Sequence, residues 1–326
     1  MNRMILGILC IAGAIGLTTL PANAQATRTW VSGVGDDANP CSRTAPCKTF
    51  AGAISKTAAG GEINCLDPGG FGAVTITKSI TIDCEDTQGS ILASGTSGVI
   101  VNAAGIIVNL RGLSISGGTP AAPGLIGVRF IQGAVLKIEK CIIFGFTSAA
   151  AGNGFGISFL PSAGGELLVS DTTVFNNGPA AATGGGIQIA GVGGVNAALV
   201  RLVVVNNAGG GIVVSGAAGG NKNVVIQDSE ISGNTGNGVT SNGAAGGNVK
   251  TMVTDTTISS NTLVGLNSNG ALSTVIVGGS TITTNPTGVS STGGGTMQSM
   301  KNNFIAGNNA DGTPITAFPG PGGALQ

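Results

Sequence analysis

The sequence predicts an all-β protein, a parallel β-helix of about nine coils whose first coil is capped by a short helix. One short template recurs at spacings of 23 to 33 residues, and each repeat holds three short aliphatic runs separated by Gly, Asn and Ser. No repeat contains the helical period that a crossover in a βαβ sheet requires. Each coil would therefore bury its core only by stacking on its neighbours. The chain divides into a signal at 1–24, a cap segment at 25–62, the β-helix at 63–309 and a Gly/Pro-rich tail at 310–326.

Residues 1–24 are predicted to be a secretion signal. Arg3 provides a positive start, an apolar run extends from Met4 to Leu20, and Ala22-Asn23-Ala24 offers a small-x-small cleavage site. The run is shorter than the ~20 residues of a membrane span, and no later segment reaches that length. We therefore expect a periplasmic or extracellular protein that begins at Gln25 and has no membrane span.

The cap segment is predicted to contain a short helix between Lys48 and Ala58. Phe50, Ala53, Ile54 and Thr57 recur there at helical spacing. Such a helix would cover the open edge of the first coil and block the addition of further strands. After the last coil, the abundance of Gly and Pro in the tail predicts irregular structure.

The mature chain has five cysteines, which could form disulfides in an oxidising compartment. Cys41 and Cys47 could close a tight loop, and Cys65 and Cys84 are the next plausible pair. Cys141 is then left over. It precedes an apolar run, so we expect a buried and inert thiol rather than a nucleophile.

The repeat is defined by a central aliphatic residue, in six repeats followed three positions later by asparagine. The central residues are Ile82, Ile115, Ile143, Val174, Val204, Ile231, Ile258, Ile282 and Ile305. The asparagines are Asn177, Asn207, Asn234, Asn261, Asn285 and Asn308. Amides stacked at strand spacing can hydrogen-bond along the helix axis, and asparagine tolerates a left-handed turn. We therefore expect a structural role for the asparagine column.

The composition excludes several functions. The chain has no histidine, which excludes Ser-His-Asp and Cys-His catalysis and His-ligated zinc. Its 14 basic and 14 acidic residues leave no net charge to attract nucleic acid, so no nucleic-acid partner is expected. The 59 glycines, with 42% hydrophobic residues, fit many tight bends around a buried core rather than disorder.

Four stretches of the cap segment and first coil resemble a known family. They are Thr29–Cys41 (TWVSGVGDDANPC), Ala45–Phe50 (APCKTF), Gly61–Phe71 (GEINCLDPGGF) and Val74–Ile82 (VTITKSITI). They resemble secreted proteins of the pectin-lyase-like superfamily, which implies a right-handed, single-stranded parallel β-helix. Because that superfamily includes polysaccharide lyases, hydrolases, epimerases, adhesins and non-enzymatic proteins, the resemblance does not settle an activity.

The chain departs from the hydrolase branch of that superfamily. Polygalacturonase-like hydrolases carry Asn-Thr-Asp and Gly-His-Gly motifs, and neither is found in the coils of this sequence. Pectate lyases resemble one another in a cluster of Asp ligands for calcium beside an Arg or Lys base. A calcium-assisted lyase is therefore the enzyme class that the resemblance leaves open.

One column of charged residues is a candidate site. Three positions before the central aliphatics stand Lys140, Asp171, Arg201, Asp228 and Asp255. Members on adjacent coils would lie about 4.8 Å apart. Their alternating signs favour a structural ion-pair ladder, worth about 0–1 kcal/mol for each exposed pair, which also guards the register.

The same column could instead be catalytic. Asp228 and Asp255 are like charges on neighbouring coils and could bind a cation such as calcium. Arg201, beside Asp171 and Asp228, could neutralise a uronate carboxylate or act as a lyase base. Carboxylates about 5 Å apart would also suit a retaining glycosidase. The candidate catalytic set is therefore Arg201, Asp171, Asp228 and Asp255.

A second candidate is an apolar stripe on the outer surface. Phe144, Phe175 and Val205 alternate with inward aliphatics, and Ile142 and Val203 flank them, so all five should face outward. A lone soluble rod would not leave such a stripe open. Inserted loops at 148–152 and 179–183 could cover it, a second subunit could pack on it, or sugar rings could stack on it.

We expect a secreted, non-catalytic protein that binds extracellular carbohydrate or another surface macromolecule along its long face. The predicted binding surface comprises Lys140, Phe144, Phe175 and Val205. The alternative is a lyase or glycoside hydrolase that acts on acidic polysaccharide at the charged column. Ice binding by a threonine array is a weaker possibility, because Glu230 and the apolar stripe interrupt the array.

Overall fold

The computed structural model describes residues 25–181, 183–244 and 246–318. The predicted secretion signal, and residues 319–326 of the predicted tail, lie outside the described residues. Within those described ranges, no helix is long and apolar enough to cross a membrane.

The described chain winds through three parallel sheets, which we number in the order in which each coil visits them. Sheet 1 has 12 strands: β1 (Ala26–Val31), β2 (Thr57–Cys65), β5 (Ile80–Asp83), β8 (Ile107–Arg111), β13 (Val135–Glu139), β16 (Gly165–Ser170), β19 (Val195–Val200), β22 (Lys222–Gln227), β25 (Val249–Thr254), β28 (Ser273–Gly278), β31 (Thr296–Ser299) and β34 (Thr316–Ala317).

Sheets 2 and 3 have 10 strands each. Sheet 2 contains β3 (Gly69–Gly70), β6 (Gly89–Leu92), β9 (Leu113–Ser116), β14 (Ile142–Phe144), β17 (Thr173–Phe175), β20 (Val203–Val205), β23 (Glu230–Ser232), β26 (Thr257–Ser259), β29 (Thr281–Thr283) and β32 (Phe304–Ile305). Sheet 3 contains β4 (Val74–Ile76), β7 (Val99–Asn102), β12 (Ile126–Gln132), β15 (Phe155–Phe159), β18 (Gly184–Ile189), β21 (Gly209–Ser215), β24 (Val239–Asn242), β27 (Val264–Asn269), β30 (Thr287–Thr292) and β33 (Ala310–Gly312). An antiparallel hairpin, β10 (Gly118–Thr119) and β11 (Ala122–Pro123), lies outside these sheets.

The core is a stack of aliphatic side chains, one layer per coil. In β13, Leu136 and Ile138 are fully buried while Lys137 between them faces outward, as the period of a strand requires. The central aliphatics of sheet 2 pair in register from coil to coil, as in Ile143 with Val174. The all-β parallel β-helix predicted from the sequence is therefore confirmed.

The number of coils and one member of the central column differ from the prediction. The strands form about 11 turns rather than nine. Ile82 was wrongly placed in the central column, because it lies in sheet 1 and pairs with Ile63 and Leu110. The residue that pairs with Ile115 in sheet 2 is Ile91. This coil has a longer corner between sheets 1 and 2, where Cys84 is bound to Cys65, and the longer corner disguises the register.

The corner between sheets 1 and 2 is a left-handed turn that the later coils repeat. Its positions carry φ angles of 51° at Lys140, 50° at Asp171, 53° at Arg201, 49° at Asp228 and 50° at Asp255. These are the residues of the predicted charged column. Because L residues other than Gly, Asn and Asp seldom adopt this conformation, the turn is held by the pairing of the strands on either side of it.

The asparagine column forms the continuous ladder that the sequence predicts. Each amide Nδ2 donates to the Oδ1 of the next asparagine, from Asn177 to Asn207 at 3.0 Å and from Asn207 to Asn234 at 2.9 Å. The same pattern runs on through Asn261 and Asn285, and Asn177 to Asn285 are buried. The amides also bond backbone groups of neighbouring coils, so the column is structural.

The N-terminal end is closed by the predicted helix, α1 (Phe50–Lys56). Thr49 caps it by accepting a hydrogen bond from the N–H of Gly52 at 2.9 Å. Phe50 and Ala53 are buried, and the ring of Phe50 lies 5.2 Å from that of Phe71. The helix therefore seals the first coil with an apolar face.

At the other end, the strands continue past the predicted boundary at residue 309. β33 and β34 add to sheets 3 and 1, pairing with β30 and β31. Both are short and exposed, and edge pairing requires only backbone hydrogen bonds. The Gly and Pro content of this segment conceals such strands because it removes the aliphatic pattern.

Candidate functional site

The charged column lies along the outer corner between sheets 1 and 2, and its members are exposed. Arg201 and Asp171 form a bidentate ion pair. The guanidinium Nε lies 2.7 Å from Asp171 Oδ1, and Nη2 lies 2.8 Å from Oδ2. These hydrogen bonds raise the pKa of Arg201 and lower the pKa of Asp171. Both groups are therefore charged at neutral pH, and Arg201 cannot accept a proton.

Lys140 does not extend the predicted ladder toward Asp171. Its ammonium donates instead to Glu85, and this hydrogen bond raises the pKa of Lys140 and lowers the pKa of Glu85. The prediction of a continuous ion-pair ladder from Lys140 to Asp228 is therefore wrong. Among the described residues, the ion pair between two members of the column is that of Asp171 with Arg201. The reason is a stronger acceptor on an earlier coil, which the sequence pattern did not place beside Lys140.

That acceptor belongs to a charged cluster that the sequence analysis missed. Arg111 lies at the centre, with Nη1 3.2 Å from Asp83 Oδ2 and Nε 3.0 Å from Glu139 Oε2, and it also contacts Glu85. Asp83, Arg111 and Glu139 pair in register along the outer face of sheet 1. A signal was present, since each follows an inward aliphatic residue. The misplacement of Ile82 concealed the signal.

Asp228 and Asp255 make no ion pair within the described residues. Asp228 Oδ2 accepts a hydrogen bond from Gln227 Nε2 at 3.1 Å. The carboxylate of Asp255 lies against Gly279 of the next coil, in space that a side chain at that position would occupy. In the part of the chain that the structure describes, no group of three or more Cys, Asp or Glu side chains could hold a metal ion. Asp228 and Asp255 thus have no third carboxylate beside them among the described residues.

The apolar stripe lies on the outer face of sheet 2. The rings of Phe144 and Phe175 stack at 5.0 Å with an angle of 11° between their planes. Val205 is next in register after Phe175, and the flanking Ile142 is 46% exposed. Phe144, Phe175 and Val205 are half-buried, so they form an apolar ridge that runs along the axis beside the charged column.

The cysteines behave as the sequence predicts. Disulfides join Cys41 to Cys47 and Cys65 to Cys84. Cys141 is free and buried, and burial raises the pKa of its thiol to about 12. A thiol in this state is neither a nucleophile nor a metal ligand at neutral pH.

No protein-family model and no curated protein matches the chain. The solved structures that are similar to it include the following two. Pectate lyase Pel9A superposes with a TM-score of 0.65 at 16% identity, covering 88% of this chain and 78% of that one. The A-module of the mannuronan C-5 epimerase AlgE6 from Azotobacter vinelandii superposes with a TM-score of 0.52 at 15% identity, covering 78% of this chain and 72% of that one. The chain therefore has the right-handed parallel β-helix fold of the pectin-lyase-like type, as the resemblance implied.

Proposed function

We propose that the protein is secreted and binds extracellular polysaccharide without turning it over. The observation that carries this proposal is the bidentate pair of Arg201 and Asp171. A lyase base must lose its proton before it reacts, and a general acid must hold one. Because the pair raises the pKa of Arg201 and lowers that of Asp171, it disfavours Arg201 as a base and Asp171 as a general acid.

The binding face of this proposal is the apolar ridge on sheet 2. Phe144, Phe175 and Val205 present a continuous apolar strip, and Lys140 lies two residues before the start of β14, the strand that carries Phe144. A polysaccharide laid along the axis would bury this strip against the CH groups of successive sugar rings. Two of the similar solved structures are, by name, a pectate lyase and a mannuronan epimerase. Acidic polysaccharides are therefore the ligands to test first.

The test is retention of the protein on immobilised polygalacturonate and mannuronan. The double variant Phe144→Ala/Phe175→Ala should weaken binding by about tenfold or more, because aromatic contacts dominate such surfaces. Ser259→Ala and Thr283→Ala are matched controls, since both positions continue the same outward column on later coils. Equal retention of the double variant and the wild type would reject the ridge as the binding face.

The same double variant tests two other roles of the ridge. If a second subunit packs there, the mass in solution from light scattering should fall from dimer to monomer in the variant. If the loops at 148–152 and 179–183 cover the ridge, the variant should lose stability and keep its polysaccharide retention.

A lyase or glycoside hydrolase is the second candidate, and the exposed carboxylates of Asp228 and Asp255 favour it. They lie on successive coils, and no cation of the described residues pairs with them. The assay is the ultraviolet absorbance of unsaturated products from polyuronates, with and without calcium. An enzyme would show turnover that Asp228→Asn or Arg201→Ala abolishes. Turnover of this kind would overturn the non-catalytic proposal, and its absence in calcium would reject the lyase.

A further inference from the structure

The outer face of sheet 1 holds two adjoining depressions at its N-terminal end, of about 340 and 660 Å³. Arg28 and Trp30 line both of them. In β1, Thr29 and Val31 are buried, so the alternation of the strand turns Arg28 and Trp30 outward. Trp30 is half-buried and is the only tryptophan of the chain. We call these two depressions together the Trp30 groove.

Asn64 lies beside Trp30 in register and leaves a buried acceptor without a partner. Its Nδ2 donates to Glu62 Oε1 at 2.8 Å, while its Oδ1 is buried and has no hydrogen-bond partner within the described residues. Arg28 also donates to Glu62, and this hydrogen bond lowers the pKa of that carboxyl. An ionised carboxylate only accepts, so the orientation of the Asn64 amide is determined and its Oδ1 has no donor among the described residues.

Asn109 offers an instructive contrast on the same sheet. Its Oδ1 is likewise buried without a partner, but its Nδ2 donates to the hydroxyl of Thr81 at 3.0 Å. A hydroxyl both donates and accepts, so the contact with Thr81 does not determine which end of the Asn109 amide is the oxygen. Asn109 also lines neither depression. Asn64 is therefore the one of the two whose unpaired oxygen is assigned by its contacts and whose side chain borders the groove.

The charges of the Trp30 groove include both signs. Arg43 lines it, and no described acidic group lies within ion-pairing distance of that side chain. Asp86 lines it and is likewise without an ion pair among the described residues, whereas Asp83 is paired with Arg111. A sugar hydroxyl both donates and accepts, so it suits a lining that offers donors and acceptors together. An anionic ligand would meet the carboxylate of Asp86 as well as Arg43.

The groove is rigid before any ligand arrives. The backbone N–H of Trp30 donates to Cys41 at 2.9 Å, and the N–H of Cys47 donates back to Trp30 at 3.0 Å. The disulfide of those two cysteines holds this loop closed, and the Cys65–Cys84 disulfide lines the smaller depression. A preformed site loses little conformational entropy on binding.

We propose that the Trp30 groove binds a neutral hexopyranose ring. The indole of Trp30 packs on the CH face of the sugar, the Oδ1 of Asn64 accepts from one hydroxyl, and Arg43 and Asp86 bond others. This site lies on sheet 1 and is separate from the ridge on sheet 2, so it is an additional site and does not rest on the proposed function.

Because Trp30 is the single tryptophan of the chain, its fluorescence can report ligand binding in the groove. We would titrate the protein with cellohexaose, mannohexaose and oligogalacturonate and record the emission of Trp30. We expect a saturable change with at least one neutral hexaose. Asn64→Ala should weaken that binding by about tenfold, the effect of losing one buried hydrogen bond. Asn109→Ala is the matched control and should leave the affinity unchanged.

Arg43→Ala provides an independent variant, because Arg43 is exposed and its loss leaves the fold intact. It should weaken the neutral hexaose several-fold even if Asn64→Ala proves unstable. No emission change with any neutral hexaose, a response to oligogalacturonate alone, or unchanged affinity in both variants would overturn the proposal. The Phe144→Ala/Phe175→Ala protein should bind the hexaose normally, which separates this result from the test of the ridge.

Discussion

Lys222 is a charged residue placed inside the core. It occupies an inward position between Val195 and Val249 in sheet 1 and is 0% exposed. Its ammonium donates to three backbone carbonyls, those of Gly193, Gly219 and Gly220, at 2.9, 2.6 and 2.8 Å. The buried lysine ties together the corners of two coils, whose glycine-rich backbone offers few other donors.

Replacing this lysine should be costly. Lys222→Met keeps the apolar stem but leaves three carbonyls without their donor, so we expect the free energy of unfolding to fall by about 3 kcal/mol. Urea unfolding followed by circular dichroism would measure the loss. Lys250→Met, an exposed lysine on the next coil, is the matched control and should change stability by less than about 0.5 kcal/mol. Similar losses in both variants would contradict this account of Lys222.

The buried thiol of Cys141 should lower the free energy of unfolding at alkaline pH. Burial raises the pKa of this thiol from 9.0 to about 12, so above pH 9 the unfolded chain loses a proton that the folded chain retains. The stabilisation is present below pH 9 and is lost as pH rises toward 12. By pH 10 the loss should be about 1.4 kcal/mol.

The variant Cys141→Ala isolates this effect. Its free energy of unfolding should not show the alkaline decline due to Cys141, so the difference between wild type and variant should shrink by about 1.4 kcal/mol between pH 8 and pH 10. The absence of tyrosine removes one competing alkaline titration. A constant difference across that range would show that the buried thiol is not the cause.

At the scale of single elements, the asparagine ladder is the most regular feature. Asn234 accepts from the amide and the backbone N–H of Asn207, at 2.9 and 3.1 Å, and donates to Asn261 at 2.9 Å. Each amide therefore satisfies a neighbour on either side. Removal of one asparagine leaves hydrogen-bonding groups unpaired on both adjacent coils. Because these groups are buried, leaving them unpaired lowers the free energy of unfolding.

Asn234→Ala should therefore lower the free energy of unfolding by about 2–3 kcal/mol. The matched control is Asn223→Ala, because the exposed side-chain amide of Asn223 donates a single hydrogen bond, to Asn196 Oδ1 at 3.1 Å. That variant should lose less than about 1 kcal/mol. Thermal unfolding of the two variants beside the wild type would make the comparison, and equal losses would contradict the ladder as a source of stability.

The elements also show which parts of the fold a sequence can predict. The capping helix, the asparagine ladder and the two disulfides repeat local patterns or simple spacings, and all are confirmed. The coil at Ile82 and Ile91 was misjudged because its corner has a different length from the corners of later coils. A periodic pattern predicts a coil only while the corner lengths stay constant.

The candidate site was less accessible to prediction for a related reason. The contacts of Lys140 depend on which coil lies beside it, and Glu85 is 55 residues earlier in the chain. The orphaned oxygen of Asn64 likewise depends on the orientation of a single amide. Such facts belong to side-chain geometry, which no repeat pattern encodes.

At the scale of the whole molecule, the two ends of the rod differ. The N-terminal end has a capping helix, two disulfides and large aromatic side chains, including the Phe130–Phe159 stack at 4.3 Å. Toward the C-terminal end the core becomes polar, with buried hydroxyls of Ser241, Ser268 and Ser273 bonded to one another at 2.9 Å. The last strands are short and exposed.

Because neighbouring coils stabilise one another, unfolding of the rod should begin at its weaker end. We expect backbone amides in β27, β28 and β30 to exchange with deuterium at least about tenfold faster than those in β8, β13 and β16. Hydrogen exchange read by mass spectrometry would measure this gradient. A Cys65→Ser/Cys84→Ser variant should narrow it by weakening the other end, and uniform protection along the wild-type rod would contradict the asymmetry.

The left-handed corner between sheets 1 and 2 also indicates where the fold can accept an inserted peptide. The chain takes the same number of residues from Val169 to Val174 as from Ile226 to Ile231, while the connections from sheet 2 to sheet 3 differ in length between those coils. The constant length of the first corner thus sets the register between coils, whereas the second connection can vary in length without changing that register. A foreign peptide grafted into 148–152 would be displayed on a stiff rod without shifting a layer of the stack, so each coil is a separate module for display.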